Sequence, residues 1–420
     1  MQKKYDVAVI GGGSVGLCTA YFLQKSGKNV VVIDKALPGS ADQCSYANAG
    51  YVAPSHIIPL ASPGIISKGL RWMLNPDSPF YIHPRLDWQQ FKWMWTFWRS
   101  ANLETVQRAI PILAALCNES ANLYNVLAED KNIGDFGLEK QGLLMLYNTE
   151  KAFAADHKIA ETAIKAGVPT KLLNPQEIKE TEPAFETTAV GAIYYTDDWH
   201  IRPSSLCQQL HQALAKNGVD FIEMNNSLTF EKSDGKLTKI CAGENDINAD
   251  EFVLASGAWT PQIAGTLGIR LPIQAGKGYS VTVKNSQPKA KVPAILTETK
   301  VAVTPYGDEI RFAGTLEFNG LNTDINPRRV RAILNAVSKY ITNLDMEEAF
   351  SAQPWAGLRP CSPDGLPLIG RTEKYNNLII AAGHAMVGIT LAPVTGKIVS
   401  EIVADEKPSV ELDLLQPDRF

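Results

Sequence analysis

Three glycines and one acid stand at the spacing that cradles a dinucleotide. Gly11, Gly13 and Gly16 fit G-x-G-x-x-G, and Asp34 follows 18 residues after the last of them. The glycines serve in turn a tight turn, close approach of backbone to a pyrophosphate, and close helix–strand packing. A helix opening at Ser14 and Val15 would aim its free N–H groups and positive dipole end at the phosphates. Asp34 stands where an acid accepts hydrogen bonds from a ribose diol. Further along lie three small-residue segments that let a ligand approach the backbone: Ser45–Gly50, Ala255–Gly257 and Gly383–Thr390.

No second glycine fingerprint occurs, so one dinucleotide site is expected. Nothing signals a catalytic triad, a carboxylate pair or a metal site, and the six cysteines carry no C-x-x-C spacing. FAD needs contacts from several distant segments, as are present here, whereas an NAD dehydrogenase would signal a compact catalytic half. The sequence therefore favours FAD.

The elements that must position these groups begin with a β-branched strand over Val7–Ile10, a helix through Leu17–Leu23, and a second strand over Val30–Asp34. Residues 54–84 are rich in proline (Pro76 among them), with at most a helix near Ile65–Leu74. Asp87–Arg99 then crowds four tryptophans into one helix length, with Trp88, Phe91, Trp95 and Trp98 on one face and Trp93 and Phe97 elsewhere. A helix buried among others is the favoured reading. A docking surface is the alternative, weakened because no basic polar face accompanies the aromatics.

Lys151–Ala166 reads as a helix stopped by Gly167, and from Gly191 the pattern returns to α/β. A hairpin over Ser227–Ile240 leads to a buried strand ending at Ala255–Gly257. Residues 270–318 alternate as an antiparallel sheet, and a terminal helix is expected from Pro393 to Ala404. The fold class is α/β: a Rossmann-like nucleotide domain built from separated segments, with an inserted mixed α+β substrate domain. The expected boundaries are 1–80, 151–265 and 350–420 for the nucleotide domain, and 81–150 and 266–349 for the insert.

A chain of 420 residues with 45% hydrophobic and 20% charged residues buries a sizeable core, and a net charge of −4 gives no sign of nucleic-acid binding. Scattered cysteines suit a reducing cytosol. The N-terminus does not read as a signal peptide. Tyr375–Gly396 carries no charged side chain. Its glycines, asparagines and Pro393 make it a strand, loop and helix rather than a membrane span.

The N-terminal fingerprint, SYANAG (45–50), WAGLRPCSPDGLPLIG (355–370) and AAGHAMVGITLAP (381–393) together resemble the FAD-dependent D-amino-acid oxidase superfamily, which includes glycine oxidase and sarcosine oxidase. The Trp-rich 71–99 segment and KGYSVT (277–282) resemble its bacterial D-amino-acid dehydrogenase branch. The resemblance runs from about residue 5 to about residue 403. It implies that Gly11, Gly13, Ser14, Val15, Gly16, Asp34 and Lys35 hold the ADP half of FAD. Ser45, Ala47, Asn48, Ala49 and Gly50 would run along the pyrophosphate, with Ser256 and Gly257 beside it. Gly383, His384, Gly388, Ile389 and Thr390 would lie near the flavin pyrimidine edge.

Arg359 matches the position that holds a substrate carboxylate, for which a guanidinium fork is well shaped. Two departures accompany the match. Met386 stands where glycine oxidase has a second arginine, and the flavin-tethering cysteine of sarcosine oxidase aligns with Gly357, so FAD is expected to be non-covalent. Tyr279 and His200 are further candidates for the catalytic site. Tyr306, Arg202 (with Asp197 or Asp198 as alternative partners) and His56 are weaker ones.

The resemblance implies oxidative deamination of a D-amino acid by hydride transfer to flavin, with electrons passed to a quinone or other carrier. Imino or N-methyl amino acids (proline, hydroxyproline, sarcosine, glycine) are the alternative substrates. The expected location is cytoplasmic, with peripheral docking on the inner membrane through residues 88–98 as a further expectation.

Overall fold

The computed structural model describes residues 3–73, 75, 78–165, 168–224 and 228–420. The expected helix ends at Leu74 and at Ala166-Gly167, the loop proline Pro76 and the hairpin start at Ser227 lie outside the described residues.

The nucleotide fingerprint folds as its pattern requires. β1 (Lys4–Ile10) and β2 (Val30–Asp34) are parallel neighbours joined by α1 (Ser14–Lys25). On its other side β1 pairs in parallel with the strand Asn245–Leu254, which pairs in parallel with Leu378–Ala382. Asp220–Glu223 extends the sheet beyond β2. The chain thus leaves β1 in one direction and returns on the opposite side. Such a reversal opens a crevice at the carboxyl ends of the strands. Val7, Val9, Val30 and Val32 are fully buried against α1 and the helix Gly388–Val403, a continuous apolar run suited to a sheet covered on both faces.

Among the described residues, a second sheet of nine strands rises beside the first. Its centre is antiparallel: Gln274–Val283 lies between Glu309–Phe318 and Pro354–Cys361. The mixed second sheet confirms the expected change of architecture over 270–318, but three strands fall differently, Thr170–Leu173 among them. Gly191–Tyr195 pairs with Leu143–Tyr147 and Thr170–Leu173, so the chain is still in the second sheet at residue 191. Pro354–Cys361 also belongs there.

Two short strands, β3 (Tyr51–Val52) and β4 (Phe80–Ile82), and three helices, α2 (Ile65–Met73), α3 (Trp88–Ser100) and α4 (Leu103–Glu129), lie around the junction of the sheets. Asp87 caps α3 by accepting from Gln89 N at 2.9 Å. The expected faces of α3 are correct, but the helix is not buried on all sides as the favoured reading had it. Trp93 and Phe97 are buried, while Trp88, Phe91, Trp95 and Trp98 are exposed. Lys92 and Arg99 stand exposed beside them, so the helix does carry bases.

The terminal helix starts at Gly388, five residues before the expected Pro393. Proline inside a helix leaves the carbonyl four residues back without its donor. The Tyr124 hydroxyl of α4 donates to that oxygen, on Ile389, at 2.6 Å, and Ser120 Oγ donates to Thr390 O at 2.5 Å. α4 thereby lets the helix pass through its proline. Among the described residues no helix is long and apolar enough to cross a membrane.

Candidate functional site

The turn after β1 is shaped by contacts that exclude side chains. Gly11 has φ +115°, and a Cβ there would lie 2.5 Å from Ala255 O. A Cβ on Gly16 would lie 1.8 Å from Gly11 O, inside the backbone itself. α1 therefore starts hard against the strand ends; its N-cap residue Gly13 offers no side chain, and Ser45 Oγ accepts from Ser14 N at 3.2 Å. Asp34 is aimed by its neighbours: Ala36 N donates to Oδ1 at 3.1 Å, and Gly12 N donates to Oδ2. Gln43 bridges the loop by donating to Gly12 O at 2.7 Å and to Asp34 Oδ2 at 3.3 Å.

The Ser45–Gly50 loop crosses from the first sheet to the second, which grips it. Thr304 Oγ1 and Tyr306 OH both donate to Ala49 O at 2.8 Å, and Arg311 donates to Asn48 O at 2.8 Å. At the opposite wall the helix Gly388–Val403 presents its start, again without a side-chain cap. His384 just before it is buried and holds Thr395 Oγ1 at 2.9 Å through Nε2, and burial pushes its pKa down to about 4.

These walls enclose one continuous cavity of about 1240 Å³, running from Asp34 to Arg359. This exceeds the upper end of about 1,000 Å³ usual for a single small-molecule site, leaving room for a cofactor and a second molecule. Arg359 enters from the strand Pro354–Cys361. Its guanidinium occupies space that a side chain on Gly278 would take, because a Cβ there would lie 2.2 Å from Nη1. Nη1 donates to Thr315 O at 2.7 Å, and among the described residues no carboxylate pairs with it. Burial lowers its proton affinity, though a guanidinium stays charged at any physiological pH.

The cradle, the aimed acid and two helix starts whose N-cap residues make no capping bond, set around an elongated cavity, match what an FAD requires. Family comparison agrees: the model described as DAO, FAD dependent oxidoreductase, matches residues 6–402. The chain belongs to this family.

Among its relatives is a D-amino acid dehydrogenase of Granulibacter bethesdensis, 31% identical over 412 residues, covering 96% of this chain and 97% of that protein. Among solved structures, glycine oxidase from Geobacillus kaustophilus superposes with a TM-score of 0.80 at 23% identity over 99% of both chains. L-proline dehydrogenase from P. horikoshii gives 0.75 at 21% identity, over 100% of this chain and 98% of the other.

In this FAD-dependent oxidoreductase, most of the residues singled out from sequence do face the cavity: Gly11, Gly13, Ser14, Val15, Asp34, Lys35, Ser45, Ala47, Asn48, Ala49, Ser256, Gly257, His384, Gly388, Ile389, Thr390 and Arg359. Gly16, Gly50 and Gly383 shape the backbone behind it instead of lining it. Tyr279 reaches the wall, but its hydroxyl is turned away, donating to Glu317 Oε2 at 2.8 Å within a buried network that includes Lys277. Burial and that pairing raise its pKa and occupy the hydroxyl, so a substrate contact is not supported.

His200 is a clearer correction. It is buried beside Tyr306, outside the cavity wall, and burial pushes its pKa down to about 4. Arg202 pairs with Glu309, not with Asp197 or Asp198, and Tyr306 serves the loop at Ala49. His56 lines the cavity, with Nδ1 3.1 Å from Ser55 Oγ.

Cys361 is buried and is not among the residues lining the cavity. Gln43, Trp259 and Trp355 also line the cavity, and sequence reasoning missed them. Lys35 Nζ sits 3.8 Å from the centre of the Trp259 ring, a contact with no signature in local spacing.

Proposed function

We propose that the protein oxidises D-amino acids to 2-oxo acids and ammonia and passes the electrons to a quinone or other carrier. The observation that carries this reading is the Arg359 guanidinium, paired with no carboxylate among the described residues and held at the opposite end of one cavity from the dinucleotide cradle. A half-buried cation without a counter-charge loses hydration that a ligand's charge would offset. An amino-acid carboxylate fits the guanidinium fork with two parallel bonds. The relatives named D-amino acid dehydrogenase support the same choice.

Bound FAD supplies the hydride acceptor that takes the substrate's amine-bearing carbon to the imine level. Gly11–Val15 and Asp34 would hold its ADP half. The Ala47–Ala49 loop and the start of the terminal helix would hold the ring end, where N–H groups and the helix dipole favour negative charge. Arg359 fixes the carboxylate and so orients Cα, which is the larger part of what the protein contributes. Apolar walls, including Leu316, Phe318, Trp93 and Phe97, exclude water from the reacting centre. The imino acid then hydrolyses in water, a step that needs no side chain.

Anaerobic mixing of the flavin-loaded protein with single amino acids tests this reading. D-Amino acids should bleach the flavin absorbance while their L-enantiomers, glycine, sarcosine and proline bleach it far more slowly. Bleaching by proline or sarcosine alone would transfer the protein to the imino-acid class. Turnover with a dye acceptor but slow turnover with oxygen would support the acceptor reading.

A further inference from the structure

Besides the glycine cradle and the Arg359 wall, one further charged cluster borders the cavity. Asp198 is buried just beyond the strand Gly191–Tyr195, and both its oxygens face the loop after β3. Ser55 N donates to Oδ1 at 3.0 Å, and Ser55 Oγ donates to Oδ2 at 2.5 Å. His56 comes next, with Nδ1 3.1 Å from Ser55 Oγ and 3.8 Å from Asp198 Oδ2. It is half-buried and lines the cavity.

The ends of the loop place His56 between the two halves of the site. Thr390 Oγ1, at the start of the terminal helix, donates to Tyr51 O at 2.9 Å and accepts from Ala53 N at 3.4 Å. Four residues beyond His56, Leu60 packs in the cluster that holds Leu316, Ala385 and Cys361, the last on the strand that carries Arg359. The histidine thus stands on the stretch of wall that joins the expected flavin end to the guanidinium.

The bonds around Ser55 decide which ring nitrogen is bare. A hydroxyl has one proton, and Ser55 gives it to a carboxylate that, when ionised, can only accept. Ser55 Oγ is then left to accept from His56. The network therefore assigns the ring proton to Nδ1 and makes Nε2 the basic nitrogen. Asp198 also lies where it would balance the charge of an imidazolium. Cys117 of α4 and Tyr195 adjoin Asp198, and burial pushes the pKa of each up to about 12, so neither adds a charge.

Other titratable groups of the wall are committed. His384 Nε2 is held by Thr395, and burial disfavours its charged form. Tyr279 and Tyr51 give their hydroxyl protons to Glu317 and to Ala294 O. Yet an amino acid arrives with its nitrogen protonated, and an ammonium has no lone pair with which to expel hydride from Cα. One N–H proton must leave first.

We propose that His56 Nε2 is the base that takes the ammonium proton of the bound amino acid, with Ser55 and Asp198 as positioning residues that fix its tautomer. An N–H bond of the substrate breaks and an Nε2–H bond forms, leaving a neutral amine and an imidazolium. The amine lone pair then makes the C=N bond as the Cα–H pair departs as hydride to the bound FAD. His56 returns its proton to water before the next turnover. The inference rests on the amino-acid reading above.

Anaerobic mixing of flavin-loaded His56→Gln with the D-amino acid that bleaches the parent fastest tests the base. Bleaching at neutral pH should slow by about a hundredfold, as for loss of a positioned base, with the flavin absorbance before mixing intact. The parent should slow toward acid pH as His56 takes up a proton. The variant should lack that limb and speed up steadily with pH as hydroxide frees the amine, approaching the parent at alkaline pH.

A second readout needs no turnover. In the proton–nitrogen spectrum of protein labelled at histidine nitrogen, the signal lost in His56→Gln should show the Nδ1–H tautomer. Asp198→Asn, or Ser55→Ala should the buried change prevent folding, should shift that signal toward Nε2–H. An Nε2–H ring in the parent would overturn the proposal. So would a variant equally slow at every pH, which marks a structural role, or one with the parent's rate and pH profile. A parent that no amino acid bleaches would instead remove the substrate reading, and the proposal with it.

Discussion

Arg359 reaches the cavity because the neighbouring strand gives up a side chain at Gly278. Arg359→Ala should therefore leave the flavin spectrum unchanged while removing charged hydrogen bonds to the carboxylate. The loss of about 2–4 kcal/mol corresponds to a KM increase on the order of a hundredfold, measured by steady-state turnover with a dye acceptor. Gly278→Ala acts on the same atom from outside. The new methyl would meet only the far end of a flexible side chain, so KM should rise with little change in Tm.

Unaltered KM in both variants would remove Arg359 from the site. The glycine turn and Asp34 were legible in sequence because one local backbone path defines them. Tyr279 and His200 were not, because their environments come from far along the chain. Glu317 stands 38 residues from Tyr279 and takes its hydroxyl, while His200 is buried beside Tyr306.

The terminal helix passes through Pro393 only because α4 supplies the missing donors. Tyr124→Phe would orphan the buried Ile389 carbonyl at a cost of about 1–3 kcal/mol. Its Tm should fall accordingly, and its retention of FAD during dialysis should weaken because Ile389 and Thr390 line the cavity. Unchanged FAD retention would separate the helix start from the cofactor site.

A rule that starts helices at proline puts this start five residues late. Tyr124 and Ser120 lie more than 260 residues away in sequence, and no local pattern announces that they complete the turn. On α3 the periodicity sorted the aromatic faces correctly. It carried no information on which face the rest of the chain covers.

Across the whole molecule, two buried histidines make stability depend on pH. His200 and His384 both titrate near 4 when folded, below the 6.5 of a free histidine. Between these limits the unfolded chain binds more protons, so stability rises with pH. It should be fully present above about 6.5 and decline as pH falls toward 4, by about 1.4 kcal/mol per pH unit for each histidine. Chemical denaturation at several pH values would show this slope, and His200→Gln should reduce it by about one proton. A slope unaffected by that change would place the dependence elsewhere.

The division into a sheet with a parallel core and a second, mixed sheet was visible from strand patterning. The assignment of Gly191–Tyr195 was not, since a buried β-branched or aromatic run fits either sheet.

The cavity joins residues from Gly11 to Thr390, almost the full length of the chain. A ribosome adding about 5–20 residues per second exposes the glycine turn long before it makes the opposite wall. On the proposed reading, the glycine turn is made early, its neighbour Ala255 later, and the wall at Gly388 that would hold the flavin end comes only with one of the last helices. Cofactor capture becomes a test that synthesis has reached its final stretch. Nascent chains halted before Gly388 should carry no yellow colour, however well their first sheet has formed.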